Sequence, residues 1–197
     1  MNDDPTLSFA DATLWARWLA ENHASSRGVW LALAKKGASH ATVTYVEALD
    51  EALAWGWIDS QKRPQDESVF LQRFSPRQAR SPWSKINREK VAVLTKAGRM
   101  EAPGLAEVER AKSDGRWEAA YDSAKTSTVP EDLAEAFAAS PGAKSFFATV
   151  DAANRYAVLY RVQTAKKPET RARRIAELVA MLARGETIHP MKAPRVK

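Results

Sequence analysis

Apolar residues recur along this chain at two different periods. Over residues 11–22 Leu14, Trp15, Trp18 and Leu19 fall on one helical face. "VWLALAKK" (29–36) is a short apolar run that leaves a basic end, the pattern of a buried strand. "YVEALDEALAWG" returns to the helical period through Tyr45, Leu49, Ala52, Leu53 and Gly56. "WIDSQK" and "SVFLQRF" flank a Pro/Asp turn and predict a hairpin. With 29–36 they give a small, mostly antiparallel sheet.

From Ser81 onward the period is helical. Ser81-Pro82 predicts an N-cap followed by proline at the first helical position, and Trp83, Asn87, Val91 and Leu94 share a face beyond it. "APGLAEVERAKSDG" predicts a helix closed by Gly115. Pro130 and Pro141 open two more helices by the same proline device. A helix over roughly 152–165 and another from Pro168 to Gly185 complete the pattern, the last one burying Ile175, Leu178, Val179 and Leu182. The expected fold class is α+β. Residues 1–100 form the sheet-containing region, 101–185 a helical region, and 186–197 a flexible basic tail.

Composition adds charge to this picture. The 197 residues carry a net charge of +6, with no cysteine and seven tryptophans. Residues 61–90 hold eight basic and three acidic side chains, and residues 155–197 hold eleven and three. The stretches between and before them are net acidic. Two separate basic blocks favour an anionic partner more than an even spread would. No apolar run approaches the roughly 18 residues needed to span a bilayer. The opening "MNDDPTLSF" lacks a secretory pattern, so a cytoplasmic location is expected.

Catalytic signatures are missing. No Walker A loop, Gly-x-Gly-x-x-Gly, Gly-x-Ser-x-Gly or His-Glu-x-x-His run occurs. His23, His40 and His189 lie in separate polar segments and read as surface residues. No metal or other cofactor is expected. What stands out is arginine among aromatics. "AWGWIDSQK" (54–62) sets Trp57 and Asp59 on one strand face, and "RFSPRQARSPWSKIN" (73–87) supplies Arg73, Arg77, Trp83 and Asn87. An Asp on a half-buried face needs a partner, for which Arg73 or Arg77 is available. Two arrangements fit these residues: an internal Asp–Arg tie, or a shallow pocket with aromatic walls and guanidinium donors for an anion.

"AKKPETRARRI" (165–175) crowds five cations around a helix N-terminus, where the helix dipole favours negative charge. Arg171 shares the stripe of Ile175, Leu178 and Leu182, Arg174 lies on its border, and Arg173 lies about 160° away. Lys166, Lys167 and Arg173 therefore read as a solvated collar. Arg171 and Arg174 are aimed at something in the protein, or at a bound anion.

Several blocks together, "GVWLALAKK", "TYVEALDEALAWGWIDSQK", "RFSPRQARSPWSKIN", "GRMEAPGL", "AKSDGRWEAAYD" and "AKKPETRARRI", resemble the YdeI/OmpD-associated family, also described as bacteriocin-protection proteins. The resemblance runs from about residue 7 to 185. Ala54 is a departure, standing where many members carry Cys. The resemblance implies an association with an outer-membrane porin and with resistance to cationic antimicrobial peptides; it brings no established reaction and no catalytic residues. The expectation is an accessory protein that binds a small anion, or an anionic group on a partner, through Trp57, Asp59, Arg73, Arg77, Trp83, Asn87, Arg171 and Arg174. One alternative is an enzyme acting on a phosphorylated or glycosylated substrate, with Asp59 as its acid/base. The other is nucleic-acid binding through the basic C-terminal stretch, for which no recognisable motif is present.

Overall fold

The computed structural model describes residues 4–191, which fall into two compact units, Met1–Ala120 and Tyr121–Lys197. The first unit runs β1 (Thr6–Leu7), α1 (Ala12–Asn22), β2 (Val29–Ala34), α2 (Tyr45–Ala54), β3 (Trp57–Pro64), β4 (Val69–Pro76), α3 (Lys85–Lys96) and α4 (Ala102–Ser113). The second is helical: α5 (Glu131–Ala138), α6 (Pro141–Thr149), α7 (Ala152–Gln163) and α8 (Pro168–Ala183). The fold is α+β.

The four strands lie in the order β1-β2-β4-β3. β4 pairs antiparallel with both β2 and β3, while β1 adds a two-residue parallel edge beside β2. Alternation along β2 sends Val29, Leu31 and Leu33 into the core beside Phe74 of β4 and Trp57 of β3. Helix α1 covers that face with Trp15 and Leu19, both fully buried. Trp15 stacks on Trp18 at 5.3 Å and meets Trp57 edge-on at 6.3 Å. These two buried indoles each keep a hydrogen bond: Trp15 Nε1 donates to the Ala48 carbonyl and Trp57 Nε1 to that of His23.

One crossing is tighter than any side chain permits. A Cβ on Gly104 would lie 2.1 Å from the Ala54 carbonyl oxygen, so α4 rests directly on the end of α2. The Glu101 N–H donates to the same carbonyl. Glycine is required here for close approach rather than for a left-handed backbone.

β3 carries an irregularity that decides where its cations go. Asp59 is opposite Phe74, yet Lys62 is opposite Gln72, so one extra residue is accommodated between them. Gln72 Nε2 reaches across to the Gln61 carbonyl at 3.1 Å and fixes the bulge. Such an insertion re-aims every later side chain. It places Lys62 on the side of Phe70 and Gln72, and Arg63 on the opposite side with Leu71.

The helices largely follow the expected pattern, with local corrections. Helix α3 is capped by Ser84, whose Oγ accepts from the Asn87 N–H, and not by Ser81. The Ser81-Pro82 pair instead sits in the loop before the helix. Pro130 is the N-cap of α5 rather than its first helical residue. β1 was not expected, because two residues carry no period. Helix α4, placed with the helical region by sequence, belongs to the first unit.

In the second unit Leu133, Phe137, Phe147, Leu159, Val162, Ile175, Leu178 and Leu182 form a separate core. Residues leading into α5 are held by Tyr156, whose hydroxyl donates to the Asp122 carbonyl at 3.0 Å. Burial of that phenol pushes its pKa up to about 12. Past α8, Asn154 donates to the His189 carbonyl and accepts from its N–H, so the chain there is pinned. The rest of the expected basic tail, residues 192–197, lies outside the described residues.

Candidate functional site

The sequence-selected residues of the first unit occupy separate places. Trp57 is a core residue. Asp59 is half-buried and accepts from the Tyr45 hydroxyl at 2.7 Å. Its expected arginine partner is not there. The register sets Phe74 opposite Asp59, so Arg73 points to the other face, where it pairs with Asp4 at 2.6 Å. Arg77 lies flat on Trp83, 3.5 Å from the ring centroid, and donates to the Pro82 carbonyl.

Arg77 and Trp83 are thus brought together, with Asn87 close by in the first turn of α3. Trp117, Arg116 and Arg88 join them, and none of the three was singled out in the sequence. Trp83 meets Trp117 edge-on at 4.9 Å, Arg116 binds Asp114 and the Ser81 carbonyl, and Arg88 donates to the Trp117 carbonyl. "SDGRWE" held the signal, since a second Arg-Trp pair follows the first by some 30 residues. The cluster ties two loops to the start of α3. Trp83 Nε1 and Arg116 Nη2 are sealed from solvent, so no ligand reaches them unless the loops part.

In the second unit Arg171 makes a bidentate pair with Asp132, Nε to Oδ2 at 2.6 Å and Nη2 to Oδ1 at 2.8 Å, and donates Nη1 to the Val162 carbonyl. Arg174 donates to the Arg161 carbonyl at 2.7 Å. Both carbonyls belong to the last turn of α7, where the helix leaves acceptors unsatisfied and its dipole is negative. The arginines that oppose the dipole of α8 therefore complement that of α7. Hydrogen bonding from the guanidinium holds the Asp132 carboxyl below the usual carboxylate range. Among the described residues Arg173 meets Glu177 alone, one turn on and 3.8 Å away, with both side chains mostly exposed.

A different set of cations stays open. At the end of the sheet two adjoining clefts of about 460 and 640 Å³ share Ala34, Lys35, Lys36 and Phe70. Lys62 and Arg63 line the smaller one, and the loop through His40 lines the larger. The loop is anchored at both ends. Thr42 Oγ1 accepts from the Ala34 N–H, and Thr44 forms a capping box with Glu47. Lys35 donates to the Asp66 carbonyl in the hairpin turn. Lys62 Nζ sits 3.9 Å above Phe70 and the Arg63 guanidinium 4.0 Å above Trp30. Neither cleft has an Asp or Glu in its lining. Lys36, Lys62 and Arg63 meet no carboxylate among the described residues. The sequence hints were the basic end of "VWLALAKK" and the pair in "QKRP", neither adjacent to the tryptophans that drew attention.

Residues 126–185, the helices of the second unit, match the family model described as Bacteriocin-protection, YdeI or OmpD-Associated. That stretch is a YdeI/OmpD-associated domain. Residues 7–107, about half of the chain, match a second model, Domain of unknown function (DUF8412). The two matches follow the two units. Most of the blocks that carried the resemblance fall in the second model's range, and only "AKKPETRARRI" falls within 126–185. No curated protein and no solved structure matches the chain. Among the described residues no group of His, Asp and Glu could hold a metal, and no helix is long and apolar enough to cross a membrane.

Proposed function

We propose that this protein is an accessory factor that holds a small anion, or an anionic group on a partner, in the groove at the end of its sheet. The carrying observation is that Lys36, Lys62 and Arg63 border clefts without a lining carboxylate, whereas Arg73, Arg116 and Arg171 are each paired with one. Unpaired cations around a concave surface raise the local concentration of anions and leave N–H donors free to bind them. The family description offers bacteriocin protection as a setting. The sign of the groove then assigns it to an anionic component of that process, since a cationic peptide would be repelled.

Titration with inorganic phosphate, followed by backbone amide shifts, tests this reading. The expected result is saturable shifts at Lys36, Lys62 and Arg63 that weaken as sodium chloride is added. Shifts confined to other surfaces, or none, would overturn it.

A further inference from the structure

The groove is more than a cluster of cations. Part of its floor is apolar, with Ala38, Ala41, Val43 and Phe70 in the lining beside the polar loop through His40. A strongly hydrated inorganic anion gains nothing from such a floor. Phe70 and Trp30 are not offered bare to a stacking base: Lys62 covers Phe70, Arg63 covers Trp30, and Trp30 is only 6% exposed. Single-strand readers rely on runs of uncovered aromatic platforms, whereas the exposed ring in the lining of the larger cleft, Tyr45, is tethered through its hydroxyl to Asp59. The cleft volumes also suit a small molecule better than a polymer.

Resting on the anion-binding reading above, we infer that the groove takes a small amphipathic organic anion, an alkyl carboxylate. Its chain lies along Ala38, Ala41 and Phe70, and its carboxylate meets the ammonium groups of Lys36 and Lys62. The bulge in β3 is what makes this possible, because it brings Lys62 to the Phe70 side of the sheet. The alkyl chain replaces water over the floor, and the head group replaces the carboxylate that the chain itself does not supply. Fully burying a methylene tightens binding roughly fourfold, so an open groove is expected to give about twofold per carbon.

The test is a chain-length series on the full chain, with acetate, butyrate, hexanoate and octanoate below its micelle concentration, read by calorimetry and amide shifts. Octanoate is expected to bind at least tenfold more tightly than acetate, with shifts at Ala34, Ala38 and Phe70. In the double variant Lys36→Glu, Lys62→Glu its affinity falls at least tenfold while the melting temperature holds. Equal affinity across the series and for phosphate would overturn the amphipathic ligand and leave the anion reading standing. No shift with any member or with phosphate would remove both. Tighter binding of oligothymidylate than of octanoate would overturn the inference in favour of a nucleic acid.

Discussion

Two basic regions look alike in the sequence and behave oppositely in the fold. Around α8 the arginines face inward to an acidic side chain and to helix-end carbonyls, so their charge is spent on holding α5, α7 and α8 together. At the sheet end Lys62 and Arg63 rest on aromatic rings, and among the described residues neither side chain donates a hydrogen bond. The difference is whether a carboxylate or a helix C-terminus lies within reach. Local charge density alone does not separate a structural tie from a binding surface.

The sharpest way to break this contrast is Arg171→Ala. It removes three hydrogen bonds at once. Charge-assisted bonds are worth about 1.5–3 kcal/mol when buried, and the exposure of Asp132 trims the expected loss to about 1–2 kcal/mol. Thermal or urea denaturation measures it. Arg171→Lys should recover little, because an ammonium cannot bind both Asp132 oxygens and the Val162 carbonyl.

Asp132→Asn should cost somewhat less, and its cost should depend on pH. The carboxyl has a depressed folded-state pKa, so its contribution is complete above the ordinary carboxylate value. It is lost as pH falls through the folded value. Urea midpoints of wild type and variant should therefore differ at neutral pH and converge below about pH 4. A gap that persists in acid would mean that the tie is not ionic.

Alanine at Lys36 should change stability by less than about 0.5 kcal/mol, and at Lys62, where the contact with the Phe70 ring is lost, by no more than about 1 kcal/mol. A large loss at either position would erase the distinction between the two regions. Arg173→Ala marks the lower limit: its exposed one-turn pair with Glu177 should contribute under about 0.5 kcal/mol, indistinguishable from wild type in a melt.

Much of the fold could be read from period alone. Helices α1, α2, α4, α7 and α8 and the hairpin strands appear where the apolar spacing put them, because each element's burial is written in its own residues. The direction of Arg171 was equally local, since the 3.6-residue period placed it with Ile175 and Leu178. Its partner Asp132 was not legible. It lies 39 positions away, and nothing in either segment names the other. The same limit applies to Asp59 and Arg73. Which face an arginine occupies depends on the register across the hairpin, and that register is set by pairing rather than by pattern. Ser81 and Ser84 both resemble caps, and only the folded loop selects Ser84. The groove escaped notice because its cations come from the end of β2 and from β3, which are brought to one end of the sheet only by their shared neighbour β4.

The extra residue in β3 means that the groove is specified by counting. Closing that bulge would leave every residue of the chain in place, with the same net charge and pI. Yet with β3 paired to β4 in continuous register from Asp59, Lys62 would stand opposite Leu71 and Arg63 opposite Phe70, so the two would exchange sides of the sheet. Phe70 would lose its ammonium and Trp30 its guanidinium. A slip of one residue, invisible to any measure of composition, would thus dismantle the surface, so relatives of this protein are better compared by the register of this hairpin than by how many cations they carry.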